Sequence, residues 1–74
     1  MTIGYVAVHC DTGRERHVFD HLTQLPHIKE VTIVLGLYDI ICKLETSNAK
    51  ELENDVLKIR KISHVQTTMT LIVF

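Results

Sequence analysis

The sequence lacks several features that would point directly to a function. Its 74 residues include two cysteines, three glycines, one proline and no tryptophan. Small secreted domains that depend on disulfides carry more cysteine, so we expect reduced thiols in a cytoplasmic protein. With 46% hydrophobic residues and so little glycine and proline, the chain has the composition of a folded domain.

Charge and length exclude further classes of protein. Eight basic residues against nine acidic ones give a net charge of −1. This balance removes the long-range attraction for phosphate, so we expect no direct contact with nucleic acid. The apolar runs are far shorter than the ~20 residues of a membrane span, so we expect no membrane insertion. Residues 1–74 are predicted to form a single domain.

The two halves of the chain repeat one pattern at an offset of 34 residues, which aligns Val6 with Ile40. The spacing L-x-x-I-x-x-V that begins at Leu25 returns as I-x-x-I-x-x-V from Ile59. Each half reads as a strand, a helix and a second strand, because β-branched runs flank a segment with apolar residues at helical spacing. The predicted strands are Gly4–Cys10, Ile28–Leu35, Ile40–Glu45 and Val65–Phe74.

The predicted helices each carry one apolar stripe. The first contains Val18, Leu22 and Leu25, follows the turn and capping residues Asp11, Thr12 and Gly13, and ends before Pro26. The second contains Leu52, Val56 and Ile59 and is capped by Ser47 or Asn48, with Asn48 and Glu51 at capping-box spacing.

Residues 36–39 form a short connection that is typical of a hairpin between antiparallel strands. Two right-handed strand-helix-strand units joined in this way predict an α+β fold, the ferredoxin-like βαββαβ plait. Its four-stranded antiparallel sheet carries both helices on one face, and its first and third strands are central.

The strands do not alternate between apolar and polar residues, as a sheet with one wet face should. Consecutive apolar residues in Val31–Leu35 and Leu71–Phe74 point to opposite faces, so both faces need cover. We therefore expect a dimer or larger homo-oligomer. We expect Val31, Ile33 and Val65 on the side of the helices. Alternation then places the following residues on the other face: Tyr5, Ala7, His9, Thr32, Val34, Ile41, Lys43, Thr68 and Thr70. A bulge in the last strand would reverse its part of this assignment.

Few side chains suggest chemistry. His17 and His21 have the spacing of a metal-binding pair, but no third ligand is evident, and we interpret them as surface histidines. Cys10 and Cys42 are interpreted as small core hydrophobes. The basic cluster Lys58, Arg60 and Lys61 complements the dipole at the end of the second helix. We expect no catalytic residue, no metal and no cofactor.

One constellation suits a small zwitterion. Asp39 offers an acceptor for an ammonium group, the hydroxyls of Thr68 and Thr70 and the loop amides offer donors for a carboxylate, and Leu37 or Tyr38 offers an apolar contact. The predicted ligand-binding residues are Gly36, Leu37, Tyr38, Asp39, Thr68 and Thr70. A plain turn followed by β-branched strand residues is the alternative interpretation.

These residues also carry a resemblance to a known family. The pattern V-x-x-x-x-G-x-Y-D from Val31 to Asp39, the junction Ile59–Val65 and the closing Thr68-x-Thr70 resemble the effector-binding (RAM) domain of the Lrp/AsnC feast/famine transcription regulators. The resemblance covers essentially the whole chain. It implies a ferredoxin-like fold that dimerises through its sheets, assembles into octamers or decamers and binds amino acids between dimers, with Gly36, Tyr38 and Asp39 lining the pocket.

Family members carry a helix-turn-helix before this domain, for which the sequence leaves no room ahead of the first strand. We therefore expect a stand-alone amino-acid sensor or a modulator that joins a full-length regulator. An alternative is a small dimeric α+β barrel enzyme, monooxygenase-like or degradative, with a cavity between sheet and helices around Tyr5 and His9. A purely structural assembly subunit is a third hypothesis. Amino-acid-binding ACT domains have the same topology as well.

Overall fold

Each half of the chain folds into a strand, a helix and a second strand in the computed structural model, which describes all 74 residues. The elements are β1 (Thr2–Cys10), α1 (Glu15–Leu22), β2 (Ile28–Ile33), β3 (Ile40–Thr46), α2 (Ala49–Arg60) and β4 (Val65–Ile72). All neighbouring strands are antiparallel and their order is β2-β3-β1-β4. The predicted ferredoxin-like plait with central first and third strands is therefore confirmed. Neither helix is long and apolar enough to cross a membrane.

The hydrophobic core lies between the helices and one face of the sheet, which we call the helix face. Val6 and Val8 of β1 and Ile40 of β3 are completely buried there. The apolar stripes of the helices close over them, with Val18 and Leu22 from α1 and Leu52, Val56 and Ile59 from α2. The internal repeat is visible in this packing, because Val6 and Ile40 occupy equivalent central positions in the two halves.

Gly4 is required where β1 passes closest to α2. A Cβ atom at this position would lie 2.8 Å from Cδ2 of Leu52, which is itself 1% exposed. The missing side chain thus lets the strand and the helix pack closely.

The first helix is shorter than predicted. It ends at Leu22, and Leu25 lies in the following turn, where its N–H donates to the carbonyl of Leu22. Pro26 disfavours helical geometry at Leu25, the residue before it, so Leu25 lies outside the helix although it continues the apolar stripe. Leu25 still packs against the core. The prediction that the helix extends to Leu25 was therefore wrong, although its contact with the core was correct.

The start of the first helix also differs from expectation. Its N-cap is Arg14, whose side chain makes no capping hydrogen bond. Asp11 instead accepts hydrogen bonds from His64 and Gln66 at the start of β4, so its carboxylate joins the two halves of the chain.

The cap of the second helix is Asn48, one of the two predicted residues. Its Oδ1 accepts the N–H of Glu51 at 2.9 Å, and Oε1 of Glu51 accepts the N–H of Ser47 at 3.0 Å. Two backbone donors at the helix start are satisfied reciprocally, as in a capping box.

The other face of the sheet, which we call the free face, is not covered. The register confirms that Tyr5, His9 and Ile41 lie on this face. Ala7 is buried there among its neighbours, whereas Tyr5 is 39% exposed. Strand β4 contributes Met69 and Leu71, which pair with Ala7 and Tyr5. The remaining strand residues on the free face are Ile3, Glu30, Thr32, Lys43, Glu45 and Thr67, and the predicted residue Val34 lies just beyond the end of β2.

Thr68 and Thr70 lie on the helix face, so their predicted placement on the free face was wrong. They pair with the core residues Val8 and Val6, respectively. The cause is a bulge in β4, where Val65 pairs with Cys10 but Thr67 already pairs with His9. One extra residue reverses the orientation of every later side chain in the strand.

Candidate functional site

The hairpin between β2 and β3 is closed by its own backbone. The N–H of Val34 donates to the carbonyl of Asp39 at 2.8 Å, and the N–H of Asp39 donates to the carbonyl of Val8 at 2.9 Å. Gly36 has a φ of 155°, which side chains disfavour, so glycine suits this position. Residues 34–39 thus form a defined loop held against the end of β1.

Asp39 is the most firmly held of the predicted ligand-binding residues. Its Oδ2 accepts the backbone N–H of Cys10 at 2.8 Å and the Nδ1–H of His9 at 2.9 Å. The Asp39 side chain retains 24% of its exposure. Both bonds end on Oδ2, so the second carboxylate oxygen is left to accept a further donor.

The other hairpin residues differ in exposure. Tyr38 is half-buried, whereas Leu35 and Leu37 project fully into solvent, with exposed fractions of 103% and 91%. Two bulky apolar side chains therefore stand at the tip of the loop without any contact partner in the chain.

Thr68 and Thr70 lie elsewhere, in a groove between α2 and β4. Thr68 Oγ1 accepts the Nε–H of Arg60 at 2.9 Å. Thr70 Oγ1 is buried and has no hydrogen-bond partner. The groove has a volume of about 420 Å³, and its walls include Leu52, Val56, Leu57, Arg60, Thr70 and Ile72.

The predicted site is therefore divided between two faces of the sheet. The Asp39 carboxylate lies against the imidazole of His9, which projects from the free face, whereas Thr68 and Thr70 share the helix face with Val6 and Val8. One copy of the chain does not bring the two parts of the predicted constellation into a single pocket.

His9 and Arg60 were missed as site residues by the sequence interpretation. Each makes a side-chain hydrogen bond to a predicted site residue, His9 to Asp39 and Arg60 to Thr68. The strand alternation placed His9 on the correct face, but its pairing with a residue 30 positions away carries no local signal. Arg60 was interpreted as a helix-dipole partner, and it does lie in the last turn of α2.

The paired histidines of α1 belong to a different cluster. The rings of His17 and His21 are 4.4 Å apart, and His17 also meets the ring of His64 edge-on at 5.2 Å. His17 Nε2 is buried and unpartnered, although the residue as a whole is only partly buried. No three potential ligands are arranged to hold a metal ion.

The two thiols are core groups. Cys10 and Cys42 are buried and unpaired on the helix face, and Cys42 Sγ donates to the carbonyl of Val6 at 3.5 Å. Burial raises the pKa of the Cys42 thiol to about 12 and, with the nearby Asp39 carboxylate, that of Cys10 to about 11. Both thiols therefore stay protonated and unreactive near neutral pH.

The cavity that would favour a barrel enzyme is not found. Tyr5 and His9 project from the free face and do not line a space between sheet and helices, where the side chains of the core are buried.

Comparison with known proteins gives a consistent result. A model of the Lrp/AsnC ligand binding domain matches residues 3–74. The HTH-type transcriptional regulator FL11 of Pyrococcus horikoshii is 34% identical over 71 residues, which make up 96% of this chain and 47% of that protein. The chain spans about half the length of these curated regulators.

Two solved structures superpose on the entire chain. The crystal structure of FFRP-DM1 has a TM-score of 0.95 and 36% identity, with complete coverage of both chains. The hypothetical protein PHS023 from Pyrococcus horikoshii has a TM-score of 0.92 and 36% identity, with coverage of 100% of this chain and 90% of the other.

Proposed function

Because the chain belongs to the Lrp/AsnC ligand-binding domain family, we propose that it is an amino-acid-responsive oligomerisation module without enzymatic activity. Its role is that of a stand-alone sensor, or of a subunit that joins a full-length regulator of the same family and alters its assembly. The similarity to regulators named as HTH-type supports a place in transcription control, and DNA contact is then made by the partner.

The observation that carries the effector role is the fixed carboxylate of Asp39. A group that binds an ammonium must be ionised, oriented and accessible. Asp39 is oriented by His9 and the Cys10 amide, remains partly exposed, and stands beside a loop with free apolar side chains. Asp39 is thus already ordered before a ligand binds, so its side chain loses little conformational entropy on binding.

The proposed partner is a second copy that covers the free face. Leu71 is 58% exposed and Met69 42% exposed on this face, beside Tyr5. Pairing two such sheets removes these side chains from water, which stabilises the dimer by ~25 cal/mol for each Å² of apolar surface buried. Further assembly into octamers or decamers belongs to the same proposal.

Calorimetric and thermal-shift titration with the twenty amino acids tests the effector role. We expect at least one ligand, and we expect Asp39→Ala to weaken its binding about ten- to a hundredfold, because a charge-assisted hydrogen bond contributes roughly 1.5–3 kcal/mol. Gly36→Ala should also weaken binding, since a side chain strains the loop at this φ.

Asp20→Ala is the matched control, because it removes an exposed carboxylate from α1, far from the hairpin. Binding that survives both Asp39→Ala and Gly36→Ala would contradict the proposed pocket. A chain that binds none of the twenty amino acids but still assembles would instead be the purely structural subunit, which the exposed free face also suits.

A further inference from the structure

The imidazole of His27, directly before β2, lies between two carboxylates of α2. Its Nδ1–H donates to Oδ2 of Asp55 at 2.6 Å, and the Asp55 side chain is only 8% exposed. A carboxylate accepts hydrogen bonds and cannot donate them, so this bond places the hydrogen of a neutral imidazole on Nδ1. The lone pair of Nε2 is therefore left unused, and it lies near Glu51.

The separation between His27 and Glu51 suits a shared cation. Nε2 of His27 lies 3.5 Å from Oε1 of Glu51, which is long for a hydrogen bond. Two ligand atoms of one tetrahedral zinc ion, each 2.0–2.2 Å from the metal, lie about 3.4 Å apart. An imidazole nitrogen and a carboxylate oxygen thus already have the spacing of a coordinated pair.

Both side chains are also held from behind, as metal ligands usually are. Asp55 bonds to the far nitrogen of the His27 ring, which is the carboxylate–histidine arrangement that orients histidine ligands and makes them more basic. The Glu51 carboxylate accepts the N–H of Ser47 at 3.0 Å. Neither ligand therefore needs much rearrangement to bind an ion.

The pair opens into a recess of about 490 Å³, so an ion can reach it. The His27 and Glu51 side chains are 35% and 36% exposed. The other lining residues are Met1, Lys29, Glu45, Thr46 and Ser47. Counting Asp55 behind the ring, three carboxylates face the ammonium groups of Lys29 and of the chain terminus, so the charge balance favours a cation.

We propose that His27 and Glu51 bind Zn²⁺ or another late transition-metal ion, with Asp55 as the positioning residue. Imidazole and carboxylate are ligands of such ions. Water completes the coordination, because no set of three protein ligands is in place. No local pattern in the sequence links His27 with Glu51, which is why the residue pattern led us to expect no metal.

The proposed metal site lies far from the hairpin, so it goes beyond the effector role. The recess contains Thr46, which pairs with Thr2 at the start of β1, whereas the hairpin is held against Val8. Six residues of strand separate these levels by roughly 20 Å. A bound ion joins the start of β2 to the first turn of α2, and we expect it to stabilise the fold without altering amino-acid binding.

Calorimetric titration of the chelator-treated full chain with zinc chloride tests the site. We expect one Zn²⁺ per chain, and a thermal midpoint that rises with zinc concentration because only the folded chain brings the ligands together. His27→Gln and Glu51→Gln should each weaken binding about tenfold or more, and Asp55→Asn about ten- to a hundredfold. Circular dichroism verifies that the variants fold, and Glu51→Gln retains an acceptor for the N–H of Ser47.

The control is His21→Gln, which removes an exposed imidazole on α1 and should bind zinc like the wild type. Nitrogen NMR of the wild-type imidazoles needs no variant, and zinc should shift Nε2 of His27 while Nδ1 keeps its hydrogen. The inference is overturned if the wild type binds no zinc, as when the recess holds only water. It is also overturned if His27→Gln binds as tightly as the wild type, or if the zinc-induced shifts appear on His17 and His21 and not on His27.

Discussion

At the scale of residues, histidines make most of the hydrogen bonds that join side chains from distant parts of the chain. His9 bonds to Asp39, His27 to Asp55 at 2.6 Å, and His64 to Asp11. Each of these pairs spans 28 or more positions in the sequence. These three pairs therefore connect the two halves of the chain through their side chains.

A fourth histidine, His17, makes the stability of the protein depend on pH. Partial burial of its ring and the nearby imidazoles of His21 and His64 hold the pKa of His17 below its ordinary value of 6.5. As the pH falls below 6.5, the unfolded chain takes up a proton before the folded chain does. His17 therefore contributes stability above that pH and loses it as the pH falls through the lowered pKa.

We expect the thermal midpoint of the wild type to decrease between about pH 7 and about pH 5. In His17→Gln, which has no titrating ring at this position, the decrease should be smaller. Thermal unfolding followed by circular dichroism at a series of pH values measures both curves. Parallel curves for the two proteins would show that His17 does not contribute.

At the scale of elements, the two helices begin differently although they occupy equivalent places in the repeat. Arg14 caps α1 without a side-chain hydrogen bond, whereas Asn48 caps α2 with one. The N-terminal turn of α1 thus depends on its packing, and that of α2 has local support as well.

We expect Asn48→Ala to lower the free energy of unfolding by about 1 kcal/mol, because the N–H of Glu51 loses its acceptor. Urea denaturation measures the change. Ser47→Ala is the control, since Ser47 contributes only its backbone N–H to this cap and should unfold within about 0.5 kcal/mol of the wild type. Equal losses in the two variants would argue against Asn48 as the specific cap.

At the scale of the whole molecule, the sheet has one face inside the core and one face that the chain does not cover. The helices account for one layer only. In the proposed dimer, the free face of a second copy supplies the other layer.

We expect Leu71→Glu to reduce the proposed dimer to single chains, because a charge on the free face loses its water when two sheets pair. Sedimentation equilibrium measures the mass. Thr12→Glu is the control, since Thr12 is exposed in the turn before α1. A Leu71→Glu protein that stays at two chains would place the pairing surface elsewhere.

Local patterns predicted most of the fold and part of the site. Three of these patterns extend over only a few residues and can be recognised in the sequence alone. They are the apolar stripe around Val18 and Leu22, the strand-like runs, and the capping spacing of Asn48 and Glu51. The hairpin at 36–39 was predicted for the same reason. The predicted ends of β2 and β4 lie beyond the observed ends at Ile33 and Ile72. The predicted end of α1 also lies too far along the chain, because Leu25 stays in the core after the helix has ended.

The sequence by itself determined that the chain forms a duplicated α+β plait with apolar residues on both faces of its sheet. Only the tertiary structure decided which residues share a face. The bulge opposite His9 and Cys10 turns Thr68 and Thr70 to the helix face, next to Arg60 and away from Asp39. A one-residue shift in register costs little locally but reverses the orientation of every later side chain in the strand. The orientation is therefore determined by the pairing of β4 with β1 and cannot be derived from the residue pattern of β4 alone.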